Sequence, residues 1–483
     1  MYKPYPGYAF VSGTYLRPKD TGGDDAVIAS VKHIETGDKR LHIIRNPQFE
    51  FWVTKPPFRV QNIRLERERE DRVNRYICRY QNLWDAVARA LGDDFPSRNK
   101  RIYQENPHIY GVDVGPLIRM KLEYMESVHN KIPVLDIGML DIETSVIQEY
   151  GAQILCASYT DWKTRQTFEF INQTWCDVPI ESYERRMAHE LKPFLDGLND
   201  KATKVWAEQP HTFHYIPCPD ERELIIRLIT TTIQHKPDLC GVWNIGYDIP
   251  YILKRAEFLE IDPRAIFCHP DLPEDLRYFF WKEDHSEVEH FTDVWHQVVS
   301  PGYTRWYDPM CLYSRLRKVQ GRENLYGLDF IATKIIGSGK MKFGQNNDHI
   351  GMQRRDQVGY CVYNCFDTIL PCVIDRVTDD TTSMLVLTDV SELADFSKQS
   401  AMLRNDWYKY CRTVIHSVPG SVPPGITQGQ KYDRFIWNKG GAVLNPNLLI
   451  NRGSAHLKET ALPTALNLLV NDIDATLNIG VLP

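Results

Sequence analysis

Val134-Leu135-Asp136-Ile137-Gly138-Met139-Leu140-Asp141-Ile142-Glu143 reads as a β-strand. Side chains alternate along a strand, so Asp141 and Glu143 point the same way. Two carboxylates on one face repel each other, and burying them together is costly unless a cation sits between them. An exposed strand end with two solvated acids is the plain alternative. Downstream, 154–160 and 166–171 read as two more strands, and Asp220-Glu221-Arg222-Glu223-Leu224-Ile225-Ile226-Arg227-Leu228-Ile229 as a helix with acids in its first turn. Leu239–Trp243 is a short strand, and a helix follows from about Ile249. This is an α/β alternation. Residues 309–319, 328–336 and 352–378 read as helices. Upstream, residues 1 to about 130 mix β and α, with a strand at Phe49–Val53 that ends at Pro56-Pro57. The alternating charges of Arg64–Glu70 read as a solvated face, and 416–430, rich in Pro, Gly and Ser, as a linker.

The 483 residues exceed one ordinary domain, so two or three are expected. With 43% hydrophobic and 25% charged residues the balance is that of a soluble globular chain. No apolar run reaches the ~18 residues of a membrane span, and the opening residues show no secretory signal, so no membrane partner is expected. Eleven cysteines without a CxxC, the nearest pair being Cys361 and Cys365 among apolar neighbours, predict neither a disulfide framework nor a zinc site. A reducing, cytoplasmic setting fits them (the host cytoplasm for a viral protein). The net charge of −6 does not advertise nucleic-acid binding. Nor does it forbid it, because a site holding cations against phosphate must itself be acidic.

Two further acidic motifs stand out. Asn244-Ile245-Gly246-Tyr247-Asp248 follows the strand ending at Trp243 and places Asp248 at a strand-to-helix junction; an N-cap role suits that aspartate equally well. Tyr363-Asn364-Cys365-Phe366-Asp367 puts a phenol and a carboxylate one helical turn apart, a spacing also met with a core tyrosine and a surface aspartate. Gly337-Ser338-Gly339-Lys340-Met341 lacks the upstream glycine and the Ser or Thr of a phosphate loop. Lys340 and Lys342 read as solvated lysines rather than as phosphate contacts.

Taken together, in this order and spacing, the three motifs resemble the proofreading exonuclease of family B DNA polymerases, of the DEDD type and Tyr subtype. Val242–Ile252 is similar to the second exonuclease motif of tailed-phage replicative polymerases, and Tyr307–Tyr313 and Tyr326–Ala332 to segments preceding the third. One departure is visible: two residues separate Asn244 from Tyr247, where many members have three. The resemblance implies an RNase H-like α/β exonuclease domain at 131–378, a mixed five-stranded sheet flanked by helices. A β-rich N-terminal domain at 1–130 would precede it, and 379–483 would return towards that domain and begin a polymerase palm. It implies two Mg²⁺ or Mn²⁺ ions held by Asp141, Glu143, Asp248 and Asp367. Tyr363 would orient water or phosphate, being too weak a base at its ordinary pKa near 10. Asn244 and Tyr247 would line the pocket for the 3′-terminal nucleotide.

Lys439-Gly440-Gly441-Ala442-Val443 resembles the signal between exonuclease and palm, making Gly440 and Gly441 candidate DNA contacts. Val470–Thr476 is similar to the start of the first palm motif, with Asp472 a candidate remnant of the polymerase metal site. No fingers motif or second palm motif follows, and Asp379-Asp380-Thr381 reads as a helix end. The resemblance therefore implies a chain that edits a single-stranded 3′ end, or a primer-template, and cannot polymerise alone. A second polypeptide would bring palm, fingers and thumb, and a sliding clamp is a further candidate partner. A free-standing DEDD exonuclease and a non-catalytic DNA-binding or assembly subunit of a replisome are the alternatives.

Overall fold

The computed structural model describes residues 2–59, 67–93, 102–103, 106–286, 288, 290–342, 348–387 and 399–420. Gly440, Gly441 and Asp472 lie outside them, as do 64–66 of the charged run and 421–430 of the expected linker. The chain divides into two compact units. One comprises Met1–Phe49, Arg79–Gln81 and Gly115–Asn405; the other comprises Glu50–Cys78, Asn82–Val114 and Asp406–Pro483. No described helix is long and apolar enough to cross a membrane.

The first unit opens with an antiparallel sheet of β1 (Tyr8–Leu16), β2 (Ala26–His33) and β3 (Lys39–Arg45). Helix α1 (Pro116–Ser127) packs on it, burying Met120 and Tyr124 against Phe10, Val27, Ala29 and Val31. The main sheet follows. Its strands are β4 (Ile137–Thr144), β5 (Ile154–Asp161), β6 (Gln166–Asn172), β7 (Thr212–Cys218), β8 (Leu239–Gly241) and β11 (Arg305–Tyr307). The order is β7-β6-β5-β4-β8-β11. β5 runs antiparallel to β4 and β6, while the β6–β7, β4–β8 and β8–β11 pairs are parallel. The sheet has six strands, not five: to the four legible as apolar runs it adds β7, paired with β6, and β11, paired with β8. Between β8 and β11, β9 (Phe280–Lys282) and β10 (Gln297–Val299) form a separate antiparallel pair.

Helices cover both faces of the main sheet. On one lie α2 (Ile180–Gly197), α3 (Asp200–Ala207), α6 (Pro309–Arg317), α7 (Leu328–Ile336), α8 (His349–Arg355) and α9 (Gln357–Thr378), packed against Ile137, Met139 and Leu155. On the other lie α4 (Glu221–His235) and α5 (Ile245–Phe258), against Leu140, Ile142 and Ala157. Alternation along β4 therefore sends Leu140 and Ile142 to the α4–α5 side and Asp141 and Glu143 to the α9 side. The helix expected at 352–378 is two. Asp356 accepts the amide hydrogen of Gly359 and caps α9. Asp379 ends α9 in the left-handed region (φ 57°), and α10 (Asp380–Leu387) begins at once.

In the second unit, the strand Gln48–Thr54 lies between Val73–Arg79 and Ile109–Tyr110, and Arg67–Glu68 pairs with Val418–Pro419. Trp52, Val73, Tyr110 and Val418 form its buried nucleus. Within the described part of the charged run, Arg67 is exposed, but Glu68 is buried and only 4% accessible.

Candidate active site

Asp141 and Glu143 leave β4 towards α9, where Tyr360, Tyr363, Asn364 and Asp367 form one polar stripe at i, i+3, i+4 and i+7. Carboxylate oxygens of Asp141, Glu143 and Asp367 lie within 4.8 Å of one another. Asp248 joins them from α5, buried at 4% exposure and close enough to raise the pKa of Asp141. It does not cap the helix. α5 begins at Ile245, four residues before the expected start, and Asp248 sits inside the first turn.

The N-cap position belongs to Asn244, whose backbone is left-handed (φ 67°), a conformation that asparagine tolerates better than most residues. Asp308 holds this turn. Its carboxylate accepts the amide hydrogens of Asn244 (3.3 Å) and Ile245 (3.1 Å), and also caps α6 through Met310 (2.8 Å) and Cys311 (3.4 Å). Asp308 thus ties the starts of two helices together. Burial nevertheless raises its pKa to about 6, against the pull of those four amides. The Asp-Pro pair at 308–309 is the sequence signal for this cap.

Other neighbours fix the acids. Asn364 donates to Asp141 Oδ2 at 2.6 Å, and the Tyr360 hydroxyl donates to Glu143. Gln353 donates to the Thr144 carbonyl (2.9 Å) and accepts from the Val146 amide (3.0 Å), holding the end of β4. Lys340 departs from its expected solvated role. Its ammonium pairs with Asp367 Oδ2 at 2.5 Å and donates to the Tyr363 hydroxyl at 2.8 Å. The segment after α7 turns it inward, where the acids reward its charge. Its spacing from the motifs carries no periodic signal, so only three-dimensional proximity reveals it.

One ammonium does not balance four carboxylates. Burial, then Asp248, Asp367 and Glu143, hold the pKa of Asp141 well above the carboxylate range, with Lys340 opposing. Burial and Asp367 push Glu143 up to about 7, against Tyr360 and Lys340. Burial and Glu143 raise Asp248, and burial raises Asp367 despite Lys340. Asp367 Oδ1 is buried without a hydrogen-bond partner among the described residues. An all-oxygen donor set with surplus negative charge and an unsatisfied oxygen fits hard divalent cations such as Mg²⁺ or Mn²⁺.

A cleft of about 390 Å³ opens beside Asp141, lined among others by Trp243, Asn244, Phe291, Tyr326 and Lys340. Tyr247 is half exposed, its hydroxyl 3.3 Å from Thr144 Oγ1 and its ring 5.9 Å from that of Tyr251. The structure therefore gathers Asp141, Glu143, Asp248, Tyr363 and Asp367 around one centre, with Asn244 lining the adjoining cleft and Tyr247 beside Thr144 at the end of β4. No curated protein matches the chain. Residues 121–276, which include both the Asp141–Glu143 strand and the Asp248 helix, match the family model for the DNA polymerase family B exonuclease domain, and this part of the chain is similar to that nuclease domain.

Proposed function

We infer that the chain is a 3′→5′ DNA exonuclease that hydrolyses phosphodiesters with two divalent ions. The convergence of Asp141, Glu143 and Asp367 within 4.8 Å, from elements more than two hundred residues apart, carries this reading. In it, Asp141, Glu143 and Asp367 would hold one ion, and Asp141 with Asp248 would hold the other. When bound, such ions acidify a water and neutralise the departing 3′ oxygen. Asn364 fixes the orientation of Asp141, and Tyr360 that of Glu143. Tyr363, held by Lys340, points its hydroxyl at the reacting phosphate or water. Its pKa is raised by burial and then by Asp367, so it positions rather than deprotonates. Asn244 and the exposed face of Tyr247 receive the terminal nucleotide, and stacking on an aromatic face accepts any base.

The setting we propose is proofreading within the replicative polymerase of a tailed phage, with a palm-bearing polypeptide as partner. The likeness of 470–476 to a palm motif supports it. Incubation of the full chain with 5′-labelled single-stranded DNA and Mg²⁺ tests the activity. Stepwise loss of 3′ mononucleotides is expected, abolished by EDTA and reduced by roughly three orders of magnitude in Asp141→Asn, the loss of several kcal/mol of transition-state stabilisation. Mg²⁺-independent cleavage, or full activity in that variant, rejects the reading. Affinity capture with the full chain as bait then asks whether a palm-bearing partner co-purifies.

A further inference from the structure

Behind the acids, on the same face of the sheet, lies a second cluster that nuclease chemistry does not use. Cys156 is the β5 residue opposite Glu143. Glu169 on β6 pairs with Ser158, which makes it a diagonal neighbour of Cys156. Cys361 and Cys365 project from α9 one turn apart. The ligand atoms of Cys156, Glu169 and Cys361 all lie within 4.8 Å of one another, and Cys365 Sγ donates to Glu169 Oε2 at 3.4 Å.

Glu169 is the anomaly. It has no solvent exposure, no basic side chain pairs with it among the described residues, and its Oε1 has no hydrogen-bond partner there. A buried carboxylate must be protonated or met by a cation. Burial raises its pKa strongly, while the thiols of Cys156 and Cys365 and the Ser158 hydroxyl pull only part of the way back. Free cysteines often serve as small apolar core residues, but that role does not explain a carboxylate placed among three of them.

We propose that Cys156, Cys361 and Glu169 bind one thiophilic divalent cation of the Zn²⁺ class, with Cys365 holding the carboxylate towards the two thiols. Sulfur together with a carboxylate oxygen is a zinc donor set, and it differs from the all-oxygen set of the nuclease centre. Ligand atoms around a tetrahedral zinc sit roughly 3.4–3.8 Å apart, so a contraction of about one ångström closes the three. Binding releases the two thiol protons and the carboxyl proton of Glu169 to solvent. Because the cluster is enclosed, the ion enters during folding and links β5, β6 and α9 beneath the nuclease acids.

The test uses the full chain without a histidine tag, refolded with Zn²⁺ or Co²⁺ and exchanged into metal-free buffer containing Mg²⁺. Plasma mass spectrometry should find one retained zinc. The cobalt form should show a near-ultraviolet thiolate-to-metal charge-transfer band. Cys361→Ser and Glu169→Gln should lose both signals, while the Asp141→Asn, Asp367→Asn double variant keeps them. Absence of retained metal and of the band in the unaltered chain overturns the proposal, whether or not the variants fold. So does retention by Cys361→Ser and Glu169→Gln, or loss in the nuclease-site double variant.

Discussion

At the scale of single residues, the buried acids crowd one another and are relieved by a proton or a cation. Glu143 ordinarily titrates at 4.5, and here near 7, facing Asp367, Asp141, Asp248, Lys340 and Tyr360. The metal-free folded state therefore keeps a proton that the unfolded chain gives up. Its contribution to stability is fully present below about pH 4.5 and is lost as pH rises through about 7. Thermal unfolding in EDTA should show a lower midpoint at about pH 8 than at about pH 5, and Mg²⁺ should reverse the trend. Glu143→Gln should flatten the slope; an unchanged slope in that variant refutes the assignment. Tyr363→Phe keeps the ring and loses one oriented hydroxyl. A drop of about tenfold in kcat is expected, about 1.4 kcal/mol, with KM nearly unchanged. In the sequence, strand and helix periodicities place Asp141 with Glu143, and Tyr363 with Asp367, on shared faces, whereas Asp248 at its strand-to-helix junction stood out only through the resemblance carried by the three motifs in order. Lys340 did not stand out, since an ion pair across 27 residues leaves no periodic trace.

At the scale of elements, helix starts matter more than helix bodies. Asp308 serves both α5 and α6, so Asp308→Ala strands four amide hydrogens at once. A loss of about 3 kcal/mol is expected from caps and unsatisfied donors, measured as a lowered urea midpoint at constant m. Asp308→Asn, which keeps one acceptor oxygen, should lose less. A Cβ on Gly241 would lie 2.4 Å from Met139 Sδ and 2.7 Å from Pro309 Cγ, so Gly241→Ala should cost about 1–3 kcal/mol by overpacking. In the main sheet, β4, β5, β6 and β8 and the helices from α4 to α9 could be read from apolar pattern, whereas Thr212–Cys218 and the amino-terminal strands β1 to β3 could not. β11 escaped because Arg305-Trp306-Tyr307 shows neither the apolar run of β8 nor an alternation long enough to count. The break at Asp356 was hidden because the apolar period runs across it, although Asp356 three residues before Gly359 is a cap signature. The early start of α5 was missed because Asn244 takes a backbone conformation that composition does not reveal.

At the scale of the whole molecule, the sequence suggested a seam near residue 130, yet the first 49 residues group with the main sheet. Lys32 and Lys39 each pair with both Asp136 and Asp238 at 2.8 Å, all four nearly buried. Burial alone would raise the pKa of Asp136, but Lys39, Lys163 and Lys32 bring it down to about 2. Removing one side of such a cluster leaves buried charge uncompensated, and Lys39→Met should destabilise by about 3–5 kcal/mol; a shift of a few tenths in chemical denaturation contradicts this. The same tie limits portability. Asp136 lies five residues before Asp141, so an excised fragment beginning at residue 131 would leave Asp136 with Lys163 alone and the buried Asp238 without either lysine, at the root of the strand that presents the nuclease acids. Anyone seeking a minimal nuclease module should keep the amino-terminal sheet attached.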